Sequence, residues 1–473
     1  LSVKEIIKEI KNKMNTFELG VFGLGVMGKS LARNFASRKI PVNTYNHVLN
    51  KAEENVGLDF SKQFGSDFLG NSIVIGDFIQ SLKKPRLILL MISAGKPIDD
   101  TIELLLPLLD KGDMIIDAGN SYFKDTERRN IHIVDKGLNF VGMGVSGGEE
   151  GALIGPAIMP AGNDLAKDRL LPLLQKISAV ADNMPCVKWL GHGGAGHFIK
   201  MIHNGIEYAD MQIISEAYAL LKDNGWDNFA IADEMSSWNE HKSYLIDITT
   251  QILKYKENDT FLLDEILDVA GHKGTGSWTS MCSFELGVAA PTIVAAMNQR
   301  ILSTHKNIRL NLGSEISSNE AINPVLIRRA AFFARMVALA EGIHMIKAAA
   351  NLYGWRYNIK DILQIWRGGC IIRSDMLLNF LDIENIEICN NLFECNDFIF
   401  LLDQNKDAVA ELISIQSQNR MPLPCIHAAF EHYRTMYSSF LPINLIQAQR
   451  DFFGAHTFKK VFSGDRTYHS SWK

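Results

Sequence analysis

Short apolar runs alternate with helix-period stretches along roughly the first 190 positions. The runs Phe17–Phe22, Pro41–Asn46, Leu87–Ile92, Met114–Asp117 and Phe140–Val145 each have the length of one strand, and the segments between them carry the spacing of amphipathic helices. Such alternation is the pattern of a parallel sheet with helices on its faces. Beyond Gly191-His192-Gly193-Gly194-Ala195-Gly196, a glycine-dense junction, the pattern changes. Long helical periods dominate to about residue 440, which predicts a large second domain that is nearly all α. No short-period repeat stands out there, although a pseudo-repeat of long helices has room to hide. From about Leu441 the chain carries Pro442, Gly454 and several aromatic residues. It reads as too irregular for a helix and too apolar for free solution, and is expected to lie against another surface.

The first strand runs straight into Gly23-Leu24-Gly25-Val26-Met27-Gly28 and then a helix-like stretch. Strand, glycine turn and helix in that order make a dinucleotide-binding fold, because the glycines let the backbone approach a pyrophosphate at the positive end of the helix. The expected fold is therefore an α/β Rossmann-type N-terminal domain followed by a large all-α domain and an extended C-terminal tail. The boundaries read as an extension over 1–13, the dinucleotide-binding domain over 14–193, the helical domain over 194–440 and the tail over 441–473. At the end of the second strand, where an acid would bond the ribose hydroxyls of NAD, the chain reads Asn46-His47-Val48, with Lys51 following. Without a carboxylate to repel a 2′-phosphate, NADP is the preferred cofactor.

Composition removes several function classes. With 47% hydrophobic and 21% charged residues over 473 positions, the chain is of ordinary globular make-up, and no apolar run approaches the roughly 18 residues of a membrane span. A net charge of −5 without a dense basic stripe gives no general attraction for nucleic acid. Six scattered cysteines lack metal-ligand spacing, so reduced thiols, a cytoplasmic setting and no metal are expected. The first 13 residues fit neither a secretory nor a transit peptide.

The most informative stretch is Lys200-Met201-Ile202-His203-Asn204-Gly205-Ile206-Glu207. At helical spacing Lys200, His203, Asn204 and Glu207 share one face, and their flanks are apolar, so a polar stripe faces protein or a cleft. A rise of about 1.5 Å per residue separates Lys200 from Glu207 by roughly 10 Å, too far for an ion pair but enough to bracket a small substrate. A helix with a solvated Lys and Glu and a satisfied core His remains an alternative. Other segments hold chemistry-capable residues. Asp117-Ala118-Gly119-Asn120-Ser121 and Val145-Ser146-Gly147-Gly148 follow buried strands, at the carboxyl edge where ligands of such sheets collect, although an Asx-turn and a plain loop are the bland readings. Lys273-Gly274-Thr275 could hold anionic oxygens or be a solvated turn, Trp366–Arg373 reads as structural, and Arg450 and His456 in the tail are candidate ligand cations.

In this order the motifs resemble the 6-phosphogluconate dehydrogenase family, from about Phe17 to His456. The resemblance implies oxidative decarboxylation of 6-phospho-D-gluconate in a homodimer whose tail completes the partner's site. It assigns Lys200 as general base, Glu207 as general acid, and His203 and Asn204 as contacts to substrate and nicotinamide. It implies substrate contacts from Asn120, Ser146, Gly147, Gly148, Tyr208, Lys273, Thr275 and Arg300, with Arg450 and His456 reaching the phosphate from the neighbour. Cofactor contacts would come from Gly23, Gly25, Val26, Met27, Gly28, Asn46, His47, Lys51, Ile92, Ser93, Ala94 and Asn120. Three of the departures from the family pattern bear on the site. Ala118 replaces a glycine, His47 an arginine and Ser93 a lysine; the last two remove cations from the 2′-phosphate site, so a weakened NADP preference or dual NADP and NAD use is expected. Two competing functions are an enzyme for an unphosphorylated β-hydroxy acid, against which the cations Lys273, Arg300, Arg450 and His456 argue, and a non-catalytic NADP-binding protein.

Overall fold

The computed structural model describes residues 17–48, 53–271, 274–313, 321–416, 421–462 and 464–472. A seven-stranded sheet is built from β1 (Leu19–Phe22), β2 (Val42–Tyr45), β3 (Leu69–Asn71), β4 (Leu87–Leu90), β5 (Met114–Asp117), β6 (Asn139–Ser146) and β7 (Ala157–Gly162), in the order β3-β2-β1-β4-β5-β6-β7. All neighbours are parallel except β6 and β7. Helices cover both faces, so strands such as Leu87-Ile88-Leu89-Leu90 are buried throughout and read as unbroken apolar runs. One apolar core lies on each face. Strand order reverses between β1 and β4, and a crevice opens beyond their carboxyl ends.

Two strands escape the sequence pattern. β3 is only three residues long, and β7 contains Pro160 and Gly162, which weaken any strand signal. The proline is tolerated because β7 lies at the sheet's edge, where the Pro160 carbonyl accepts from Leu190 N at 2.8 Å.

After Gly194 the helix Ala195–Asp223 runs for 29 residues. Its first turns lie directly on β6 and β7, an approach that only glycines permit. A Cβ on Gly196 would stand 2.3 Å from Met159 O, and one on Gly144 would stand 2.4 Å from the Cβ of Lys200. The helix then enters the core of the second domain beside the helix Pro324–Tyr353 of 30 residues. Arg335 on the second helix makes a bidentate ion pair with buried Asp210 on the first, and also donates to Ser243 Oγ and the His241 carbonyl.

A long-period repeat emerges from the packing. Buried Glu216 on the first long helix accepts from the backbone N of Cys425 and Ile426, opening the helix Pro424–Tyr437. Buried Glu341 on the second accepts from Thr292 and Ile293, opening the helix Pro291–Ser303. Both capped helices start with Pro-x-Ile-x-Ala-Ala, at Pro291 and at Pro424. Each carboxylate satisfies backbone donors that a helix start leaves unpaired.

The tail corrects the sequence reading: Ile443–Gly454 is a helix. Pro442 lies at its N-cap, outside the hydrogen-bonded turns, and the helix stops at Ala455 in the left-handed region, so neither Pro442 nor Gly454 breaks it. The tail folds about a buried acid. Asp451 accepts from Thr457 N, Ser470 N, Trp472 Nε1 and His469 Nδ1. Ile443, Leu445, Phe452 and Phe453 stay exposed, which keeps the expectation of another covering surface. Among the described residues no helix is long and apolar enough to cross a membrane.

Candidate active site

At the crevice between β1 and β4 the glycine turn is shaped by close approaches. Gly23 has φ +101°, and a Cβ there would stand 2.6 Å from Met91 O; a Cβ on Gly28 would stand 2.0 Å from Gly23 O. Gly25 instead faces open space, so the start of the helix Val26–Ser37, which has no acid in its first turn, is free to meet a phosphate. Asn46 steadies the turn, its Oδ1 accepting from Leu24 N at 2.9 Å. This cradle fits a dinucleotide. His47 and Ser93 are exposed beside it and Ile92 packs behind Gly23, while Lys51 lies outside the described residues.

The polar stripe lies on the long helix as its spacing predicts, buried at Lys200, His203 and Asn204 and half-buried at Glu207. Lys200 is 8% exposed and His203 wholly enclosed. Lys200 Nζ donates to Asn204 Oδ1 at 2.8 Å and lies 3.3 Å from His203 Nδ1. With Nδ1 accepting, the other ring nitrogen carries the proton and donates to Ser146 Oγ at 3.1 Å. Asn204 Nδ2 donates to Asn120 Oδ1 at 3.3 Å, and Glu207 Oε2 is 3.7 Å from the His203 ring. One hydrogen-bonded cluster thus joins the helix to the loop after β5 and to the end of β6.

Burial sets the charge states. Desolvation lowers the Lys200 pKa against the opposing pull of Glu207. Desolvation raises that of Glu207, against Lys200 and Arg300. His203 is pushed well below the ordinary histidine value by desolvation and by the Lys200 charge, so it stays neutral. Lysine and glutamic acid are both driven toward their uncharged forms, as a base and an acid sharing one substrate require.

A cleft of about 720 Å³ opens over this cluster. Met27, Asn120, Ser146, Gly147, Gly148, Lys200, Asn204, Glu207, Tyr208, Thr275 and Arg300 all line it, and His203 supports it from behind. The Arg300 guanidinium stacks 3.6 Å over the Tyr208 ring and donates to Gly271 O at 3.2 Å. A Cβ on Gly276 would stand 2.5 Å from that ring, and one on Gly205 2.4 Å from Thr279, so small residues let the helix Thr275–Glu285 lie against the helix Ala195–Asp223. Lys273, just before it, lies outside the described residues. Arg450 and His456 do not line the cleft of their own chain; both are exposed on the tail.

Four lining residues were missed by sequence reasoning: Met91, Met211, Gly271 and Ile371. Met211 had a signal, since it lies four residues past Glu207 on the same helical face. Ile371 comes from the Trp366–Arg373 segment. That segment is structural as expected, with Arg367 bonding Asp182 and the Ser374 carbonyl, yet it also presses Gly369 O against Gly147, where a Cβ would be 2.3 Å away.

Comparison with known proteins places the whole chain beside one family. Residues 18–191 match the NAD binding domain of 6-phosphogluconate dehydrogenase, and residues 196–472 match the 6-phosphogluconate dehydrogenase C-terminal domain. The decarboxylating 6-phosphogluconate dehydrogenase of Lactococcus lactis is 42% identical over 469 residues, 96% of this chain and 98% of the relative. The NADP(+)-dependent decarboxylating enzyme of Bacillus subtilis is 41% identical over 97% of this chain and all of its own. The structure of Plasmodium falciparum 6-phosphogluconate dehydrogenase, studied in its apo form and with NADP+ or 6-phosphogluconate, superposes with a TM-score of 0.90 at 34% identity, over 96% of this chain and all of that one. Two matched domains, near-complete coverage and a shared fold lead to one conclusion: the chain belongs to the 6-phosphogluconate dehydrogenase family.

Proposed function

We propose that this chain oxidises and decarboxylates 6-phospho-D-gluconate to D-ribulose 5-phosphate and CO2, with NADP as the oxidant, through the base Lys200 and the acid Glu207. The observation that carries the assignment is the buried cluster of Lys200, His203, Asn204 and Glu207, whose lysine and glutamate are both shifted toward neutrality beneath the cleft. NADP, when bound along the glycine turn, supplies the acceptor for the hydride that leaves C3. Neutral Lys200 takes the proton of the 3-hydroxyl as that hydride departs. The resulting 3-keto acid loses its carboxylate as CO2, and the bond's electrons move toward the C3 oxygen, where protonated Lys200 stabilises the developing negative charge. Glu207 then protonates the carbon that lost CO2, which becomes C1 of the product, and the enediol collapses to the ketone.

The remaining residues bind and orient. Asn120, Ser146, Gly147 and Gly148 face the sugar acid, and Asn204 and His203 hold the Lys200 amine in line. Tyr208, Thr275 and Arg300 form the phosphate end, a role the family resemblance also gives Lys273. Gly23, Gly25, Val26, Met27, Gly28, Asn46, Ile92, Ser93 and Ala94 form the dinucleotide crevice, with His47 toward the 2′-phosphate, a role the resemblance also gives Lys51. Residues 14–193 act as the cofactor-binding domain and 194–440 as the catalytic one.

A homodimer completes the site. The exposed apolar face of the tail over 441–473 and the cations Arg450 and His456, which stand outside their own cleft, support a reading in which each tail closes the partner's phosphate site. The free state of all six cysteines supports a cytoplasmic setting. Initial rates with 6-phosphogluconate and either NADP or NAD test the function: NADPH and CO2 are expected in equal amounts, and no turnover with either cofactor overturns the reading.

A further inference from the structure

Arg129 lies on the helix Phe123–Val134, off the cleft, with its side chain 1% exposed. Its guanidinium reaches two loops at once. Nη2 donates to Gly95 O at 2.9 Å and Nε to Asp99 Oδ1 at 2.8 Å, on the segment after β4. Nη1 points to Asp117 Oδ2 at 3.3 Å, at the end of β5, and to Ser121 Oγ at 3.4 Å, on the loop that follows it. Asp117 in turn accepts from Gly119 N at 3.1 Å and Ser121 Oγ at 2.7 Å, so the bonds of one buried carboxylate bracket Asn120. Asn120 meets Asn204, which holds Lys200. The first loop begins with Met91, which lines the cleft, and Ile92, which backs the glycine turn. The loops nearly touch, since a Cβ on Gly119 would stand 3.1 Å from Ile92 O.

Holding these loops together does not by itself need a charge, because a buried ion pair is a weak source of stability compared with apolar packing. A planar guanidinium does something packing does less sharply. Its donors have fixed directions, so its bonds set the distance and angle between the groups they join.

We propose that Arg129 is a positioning residue for hydride transfer: it fixes the spacing between the loop after β4, on the cofactor's side, and the loop after β5, which carries Asn120 to the catalytic Asn204. The inference rests on the function proposed above. Arg129→Lys keeps the charge but cannot span both loops, and Asp99→Asn weakens the anchor on the cofactor's side without stranding a buried charge. Each variant is compared with the wild type by calorimetric titration of NADP and of 6-phosphogluconate separately, by steady-state rates, and by the isotope effect with 6-phosphogluconate deuterated at C3. The expected result is affinity for each ligand alone within a few-fold of wild type, kcat lower by about ten- to a hundredfold, as sub-ångström to ångström misplacement produces, and a larger isotope effect because hydride transfer has become slower. Wild-type kcat and isotope effect with only a lowered Tm, or binary affinities that fall as far as the rate, overturn it, as does failure of both variants to fold. No turnover by the wild-type protein counts against the proposed function instead.

Discussion

On the proposed mechanism, Lys200 is a residue kept for chemistry at the expense of stability. Its amine is enclosed, and desolvation holds its pKa below the ordinary value of 10.5. The unfolded chain therefore binds more protons than the native one between the folded pKa and 10.5, and this group's contribution to stability rises with pH through that window. Lys200→Met keeps the shape and removes the charge. Thermal unfolding at neutral pH should show it more stable by about 1 kcal/mol, while turnover falls by about 10²–10⁴-fold. Glu207 behaves oppositely: its raised pKa means that the native state holds the proton longer, so its contribution falls as pH rises above 4.5. In the pH–rate profile the acid limb should follow protonation of Lys200 and the alkaline limb ionisation of Glu207, and Glu207→Gln should lower turnover by about 10²-fold or more. The proposed 2′-phosphate contact gives a test of cofactor preference. His47→Arg would put a permanent cation at that position and should raise the NADP-to-NAD ratio of kcat/KM by about tenfold or more, read from parallel initial rates.

At the scale of elements, the helix Ala195–Asp223 is positioned by what is absent from its neighbours. Gly144 on β6 leaves room for Lys200, and Gly205 leaves room for Thr279. Gly144→Ala should force the helix off the strand, lowering stability by about 1–3 kcal/mol with loss of activity, as denaturant unfolding and rate assays will show. The helical period makes Lys200, His203, Asn204 and Glu207 legible as one face, and the glycine turn makes the crevice legible. Less of the surrounding site can be read locally. Met211 lies on the same face, but an apolar residue at helical spacing reads as core, and Ile371 reaches the cleft only through the tertiary contact of Gly369 with Gly147. The tail helix was hidden for another reason. Its stability comes from Asp451 and distant Thr457, His469, Ser470 and Trp472, bonds that no local pattern announces. Glu216 and Glu341 cap helices far along the chain, which is why the repeat is visible in packing before it is visible in sequence.

Across the whole molecule, the sheet domain supplies the crevice, the long helix carries Lys200, Glu207 and Tyr208 to the cleft, and later helices of the second domain contribute Thr275 and Arg300. The proposed dimer closes the end of the cleft assigned to the phosphate. Removing residues 441–473 should therefore raise the KM for 6-phosphogluconate by about 10²-fold or more, as loss of charged contacts to a phosphate would. Arg450→Ala should raise it less and leave NADP affinity unchanged. The most direct test of the central claim is the stoichiometry of NADPH and CO2 released from 6-phosphogluconate by the wild type and by Lys200→Arg, whose side chain cannot give up its proton. Equal amounts of both products from the wild type and neither from the variant is the predicted result; NADPH without CO2, or a variant as active as the wild type, would contradict it.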